Sequence, residues 1–103
     1  MPVAISVKLT MNSIVSAARD QVSSDLAGEV VILNLAAGVY HGLQEVGARA
    51  WQLIQSPRAV SQIRQGLMAE YEVEADRCER DLLEFLEDLA AHGLLEVHAR
   101  RPA

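Results

Sequence analysis

The chain is short of most residues that carry chemistry. It holds one cysteine in 103 residues, and aromatic residues make up only 4%. A single cysteine forms no internal disulfide. With so few rings, the core of a chain that is half apolar has to be built from aliphatic side chains. No apolar run approaches the ~20 residues of a membrane-spanning helix, and the opening residues do not read as a secretory signal. A mean hydropathy of +0.12 argues for a folded core rather than disorder. The length fits one domain. Together these features lead us to expect a soluble, cytoplasmic protein.

Basic charge is also scarce. The net charge is -5. Between Glu70 and Asp88 stand nine acids (Glu70, Glu72, Glu74, Asp76, Glu79, Asp81, Glu84, Glu87 and Asp88), opposed only by Arg77 and Arg80. Nucleic-acid binders draw most of their affinity from phosphate contacts and carry a basic face. This chain has the opposite, so no nucleic-acid partner and no membrane partner are expected. The acidic run reads first as a solvated helix face, and second as a surface that favours a basic partner.

Catalytic constellations are missing too. Cys78 with His41, His92 or His98 is the only conceivable nucleophile pair. Cys78 falls on the apolar face of a predicted helix, which suits a buried structural thiol. His41 alternates with apolar neighbours on a predicted strand. His92 precedes Gly93 at a helix end, where a cation is favourable. No two of these residues have metal-ligand spacing on one element. We therefore expect no enzyme activity, no metal and no cofactor.

What is present is ordered secondary structure. "VAISVKLT", residues 3–10, alternates Val3, Ile5, Val7 and Leu9 against Ala4, Ser6, Lys8 and Thr10, the two-residue period of a half-buried strand. Residues 11–28 read as a connector, with "IVSAA" open to a short strand or a helical turn. "EVVILNL", residues 29–35, is a β-branched run and reads as a buried strand. "AAG" turns the chain, and "VYHGL", residues 39–43, returns. Helical patterns follow over about 45–55, 59–71 and 75–92. Ser56-Pro57 ends the first. Ala59 is a poor N-cap for the second, and Gly66 weakens its middle by ~1 kcal/mol. Gly93 is a natural stop for the third, where Cys78, Leu82, Phe85, Leu86 and Leu89 share one face. Leu94, Leu95 and Val97 suit a packed tail or short strand. The fold class is therefore α+β and winged-helix-like: a small three-stranded antiparallel sheet followed by three helices.

A sheet has edges that must be covered, blunted or used. "VYHGL" has no proline and no lysine to blunt it. Either the N-terminal strand covers it, or it is a template for a strand from a partner.

"GEVVILNLAAGVYHGLQEVGARAWQLI" resembles the PqqD-like family: an apolar strand, a glycine turn, an aromatic-containing strand ending in "GL", and a helix start of the form N/Q-E-V-G-A-R-x-W. "AVSQIRQGLMAEYEVEADRCERDLLEFLEDLAAHGLLE" resembles the family's second half. The likeness covers roughly residues 28–97. It departs at Gln44, where asparagine is common, and at Ala59, where a capping threonine is common.

The family comprises recognition elements for the precursors of ribosomally made, modified peptides. The resemblance implies a single recognition domain over 1–97, with 98–103 as a flexible tail. It is strongest to the leader-binding subunit of a split lasso-peptide leader peptidase. It thus implies two partners: the leader segment of a precursor peptide and a separate cysteine-protease subunit. It also implies how the leader is held, as an antiparallel strand on the last strand of the sheet, beside the third helix. Mapped onto this chain, Val39, Tyr40, His41, Gly42 and Leu43 are the backbone partners. Leu82, Phe85, Leu86 and Leu89 are the apolar floor, with Cys78 at its end. On its own the protein is expected to be a monomer. Carriage of a quinone-cofactor precursor peptide is the alternative within the family. A winged-helix DNA-binding regulator is the alternative from another class, and the acidic charge map argues against it.

Overall fold

The computed structural model describes residues 8–98. In chain order the elements are β1 (Ile14–Ala17), β2 (Gln21–Leu26), β3 (Glu29–Asn34), β4 (Val39–Gln44), α1 (Glu45–Leu53), β5 (Arg58–Ala59), α2 (Val60–Glu70), α3 (Ala75–Ala91) and β6 (Leu95–His98). They form two three-stranded antiparallel sheets. One runs β5-β1-β6, the other is the meander β2-β3-β4.

The meander is where local chemistry dictates most. β2 and β3 are joined by only Ala27 and Gly28, both at positive φ (+54° and +84°). That is a type I′ hairpin, whose twist matches that of the strands it joins. Along β3, Val30, Ile32 and Asn34 are buried and Glu29 and Val31 exposed, the alternation of a strand with one face on the core. β2 is different. Apart from half-buried Gln21 its residues are all exposed, and its Ser-Ser-Asp centre carries no apolar period. Pairing with β3 holds it, so the expectation of a connector across 11–28 is replaced by two strands.

The expected strand at 3–10 falls mostly on residues 1–7, outside the described residues. Lys8, Leu9 and Thr10 are not in a strand. Leu9 instead plugs the core at 6% exposure, and its N–H donates to Glu87 of α3 at 3.1 Å.

The helices lie close to their expected spans. The N-cap of α2 is Ala59, which has no side-chain acceptor; only the reciprocal half of a capping box forms, Gln62 accepting the Ala59 N–H at 3.0 Å. α3 ends in a Schellman motif. Gly93 has φ +72°, its N–H donates to Ala90, and the Leu94 N–H donates to Leu89 at 2.9 Å. That turn aims Leu94 and Leu95 back into the protein and starts β6 beside β1. His98, read as part of the tail, is the last residue of β6, and its ring is bonded to the Ser16 hydroxyl at 2.7 Å. Residues 99–103 lie outside the described residues.

The core is aliphatic around Trp51, which is 2% exposed. Ile32, Ile54, Ile63, Leu86 and Leu94 are fully buried. Among the described residues no helix is long and apolar enough to cross a membrane.

Candidate functional site

β4 is an outer strand of the meander, and among the described residues it pairs only with β3. Its free hydrogen-bonding groups follow from register. In an antiparallel pair, residues alternate between those whose N–H and C=O face the neighbour and those whose groups face away. The two-residue loop makes Leu26 and Glu29 a bonded pair, and the Leu35 N–H donates to Asp20 on the same side of β3. Leu33, Val31 and Glu29 therefore bond to β2. Asn34, Ile32 and Val30 turn to β4, where their partners are Val39, His41 and Leu43. The N–H and C=O of Tyr40 and Gly42 then point out of the open edge. β2 is the mirror case, with Ser23 and Asp25 facing outward.

The side chains of β4 divide between two faces. His41 and Leu43 lie opposite buried Ile32 and Val30 and turn inward, half-buried, while Tyr40 lies on the outer face at 68% exposure. Val39 is exposed near the turn. The His41 ring meets His92, beyond the C-terminal end of α3, edge to face with centroids 5.0 Å apart. Asn34 ties the β3–β4 turn to this end of α3. Its amide donates to the His92 carbonyl at 2.7 Å, and its Oδ1 accepts the N–H groups of Ala36 and Ala37 in the hairpin turn.

The expected floor is split by burial. Leu82, Leu86, Leu89 and Cys78 are core residues with at most 7% exposure, and Leu86 has none. Phe85 alone of the five stays partly exposed, its ring beside Gly47 of α1. Cys78, Leu82 and Phe85 nevertheless meet in one place. With Val46, Gly47 and Val73 they line an apolar cavity of about 270 Å³. Leu86 and Leu89 do not reach it. Sequence reasoning missed Val46, Gly47 and Val73, because they belong to the ends and joints of elements.

A larger cleft of about 410 Å³ lies at the other end of β4, lined by Glu29, Gln44, Glu45, Arg49, Gln52 and Tyr71. Its polar groups are largely satisfied within the protein. Gln44 donates to Glu29 at 2.9 Å, the Arg49 Nε–H to both Glu70 oxygens at 2.9 and 3.0 Å, and Gln52 to Asp25.

Burial pushes the Cys78 thiol above its ordinary value; Arg64 pulls it down and Asp81 adds to the rise. A thiol in that environment is a poor nucleophile. His92 is engaged with Asp88 and His98 with Ser16. Among the described residues no group of three His, Cys, Asp or Glu side chains is placed to hold a metal ion. The arrangement suits binding of an extended chain: a row of backbone groups unpaired among the described residues, on a strand that meets His92 just past α3, and an apolar cavity on α3 itself.

Fold and edge thus define a small winged-helix-like domain with one outer strand, β4, unpaired on its far side among the described residues. The family follows from comparison. The family model described as coenzyme PQQ synthesis protein D (PqqD) matches residues 29–95, and the chain belongs to this family. It is similar to the solved structure of TbiB1 in complex with the TbiA(beta) leader peptide. Identity there is 39%, the match covers 82% of this chain and 98% of that one, and the TM-score is 0.76. It is also similar to lasso peptide synthetase B1 complexed with the leader peptide, at 23% identity over 80% of this chain and 96% of that one, with a TM-score of 0.71. At that identity the second likeness speaks for the fold. No curated protein matches the chain.

Proposed function

We propose that this chain is a non-catalytic adaptor of lasso-peptide biosynthesis. It captures the leader region of a ribosomal precursor peptide and presents it to a separate leader peptidase. The carrying observation is the open edge of β4, where the backbone groups of Tyr40 and Gly42 face outward; an apolar cavity lies between α3 and the start of α1, the helix that directly follows β4. The leader adds antiparallel to that edge. Main-chain bonds give affinity with little demand on peptide sequence, and side-chain pockets fix register. His41 and Leu43 line the inner side of the groove, and Phe85 with the cavity it shares with Cys78 and Leu82 accepts an apolar anchor. Leu86 and Leu89 hold α3 in place from the core side.

The likeness to TbiB1, whose solved complex contains a leader peptide, supports this reading over a regulator or an enzyme. Carriage of a quinone-cofactor precursor, which the PqqD description favours, would use the same edge.

Titration of a fluorescently labelled lasso-precursor leader, beginning with the TbiA(beta) leader peptide bound by the 39%-identical TbiB1, tests the proposal. Binding with a Kd of about 10 µM or tighter is expected. A leader that leaves the protein unbound at ten times that concentration contradicts it.

A further inference from the structure

Among the described residues nothing internal to the protein explains Gly42 in the middle of β4. Its φ lies outside the left-handed region that Gly28, Gly38 and Gly93 occupy, so any residue could adopt its backbone. A Cβ built on it would meet nothing within 4 Å. A glycine inside a strand forfeits roughly 0.5–1 kcal/mol against alanine, and often marks a place where a ligand comes close.

The surroundings of Gly42 indicate what comes close. Its N–H and C=O face the open edge, and its missing side chain would stand on the outer face of the sheet. On that face its neighbours are Tyr40, 68% exposed, and Gln44 along the strand, the latter tied to Glu29, and Val31 across the pair, 41% exposed. The position is a vacant slot between two exposed apolar side chains. A strand added to β4 would place one residue opposite Gly42, bonded to it through the backbone and projecting over the same face. An aromatic side chain there would lie across the glycine and cover its backbone, as aromatic residues do for glycines in paired strands. Its flank would rest against Tyr40 and Val31.

We propose that Gly42 is a specificity-determining residue. It keeps this slot empty for an aromatic side chain of the leader strand, on the outer face of the sheet. The inference rests on leader addition to β4 and goes further, because it names the chemistry of one leader position and the face it occupies.

The test uses Gly42→Ala and Gly42→Val with the same labelled leader. Neither side chain meets an obstacle, so both variants are expected to unfold at a urea concentration equal to or above that of the wild type. Leader binding by Gly42→Val is expected to weaken by about tenfold or more, and by Gly42→Ala less. Alanine substitution at one aromatic leader position should weaken wild-type binding to a similar extent. Combined with Gly42→Val, it should add little further loss. An NOE between that aromatic ring and the Gly42 α-protons should appear in the wild-type complex. If the wild type binds the leader and Gly42→Val binds within twofold of it, the inference is overturned. A Gly42→Val chain that fails to fold also overturns it, because the glycine then has an internal role. Failure of the wild type to bind instead overturns leader capture itself.

Discussion

The side-chain amide of Asn34 donates to the carbonyl of His92 at 2.7 Å, tying the hairpin that carries the open edge to the C-terminal end of α3. Asn34 is 8% exposed, and its Oδ1 also accepts the N–H groups of Ala36 and Ala37. One residue thus shapes the turn before β4 and holds it against the C-terminal end of α3. Asn34→Ala removes all three bonds and is expected to lower stability by about 2 kcal/mol in urea denaturation. Asn34→Asp keeps both turn acceptors and puts a carboxylate against a carbonyl. It should therefore lose the tie to His92, and the close approach of the His41 and His92 rings, while retaining the turn. Inter-ring NOEs check this.

Register makes proline substitutions at adjacent residues behave differently. Tyr40→Pro removes an N–H that faces the open edge, so the variant should stay folded and lose leader binding. His41→Pro removes an N–H directed at Ile32 inside the sheet. It should destabilise the protein by ~3 kcal/mol. Urea denaturation and leader titration of the pair separate the two outcomes.

The β2–β3 turn holds a non-glycine residue, Ala27, at φ +54°. An L-residue in that region pays roughly 1 kcal/mol, and asparagine tolerates it better. Ala27→Asn and Ala27→Gly are each expected to raise stability by about 0.5–1 kcal/mol. Gly28→Ala, at φ +84°, should lower it. Thermal denaturation of the three variants checks the turn assignment.

Burial raises the Cys78 thiol above its ordinary value, with Arg64 opposing and Asp81 adding to the rise. The native state therefore disfavours the thiolate. The stability this gives is complete below the ordinary thiol pKa and is lost as pH climbs through the raised native value. The urea midpoint should accordingly begin to fall above about pH 9. Cys78→Ser, which has no thiol to ionise, should flatten that part of the profile.

The sequence was most legible where pattern and burial coincide. Val30, Ile32 and Asn34 alternate as a strand should, and the expected helices lie within two residues of α1, α2 and α3 at each end. β2 was illegible because its Ser23, Ser24 and Asp25 are exposed and only the I′ turn and β3 hold them extended. Missing β2 also hid the register, since the bonded pair at Leu26 and Glu29 decides which β4 groups are free. The five apolar positions of α3 fall on one stripe, and periodicity alone cannot divide groove from core. Phe85 lies at one margin of that stripe and keeps partial exposure, while Leu86 at the other margin is fully buried. Asn34 did leave a trace, a lone amide ending an apolar run just before a turn, as side chains that bond to a following turn often do.

Amide hydrogen exchange with and without leader measures the central claim directly, because the meander carries its own control. The Tyr40 and Gly42 N–H groups face the β4 edge, and those of Ser23 and Asp25 face the β2 edge. Saturating leader should slow exchange at Tyr40 and Gly42 by about tenfold or more, leaving Ser23 and Asp25 unchanged. Leader binding that protects neither Tyr40 nor Gly42, or that protects the β2 edge instead, would contradict strand addition at β4.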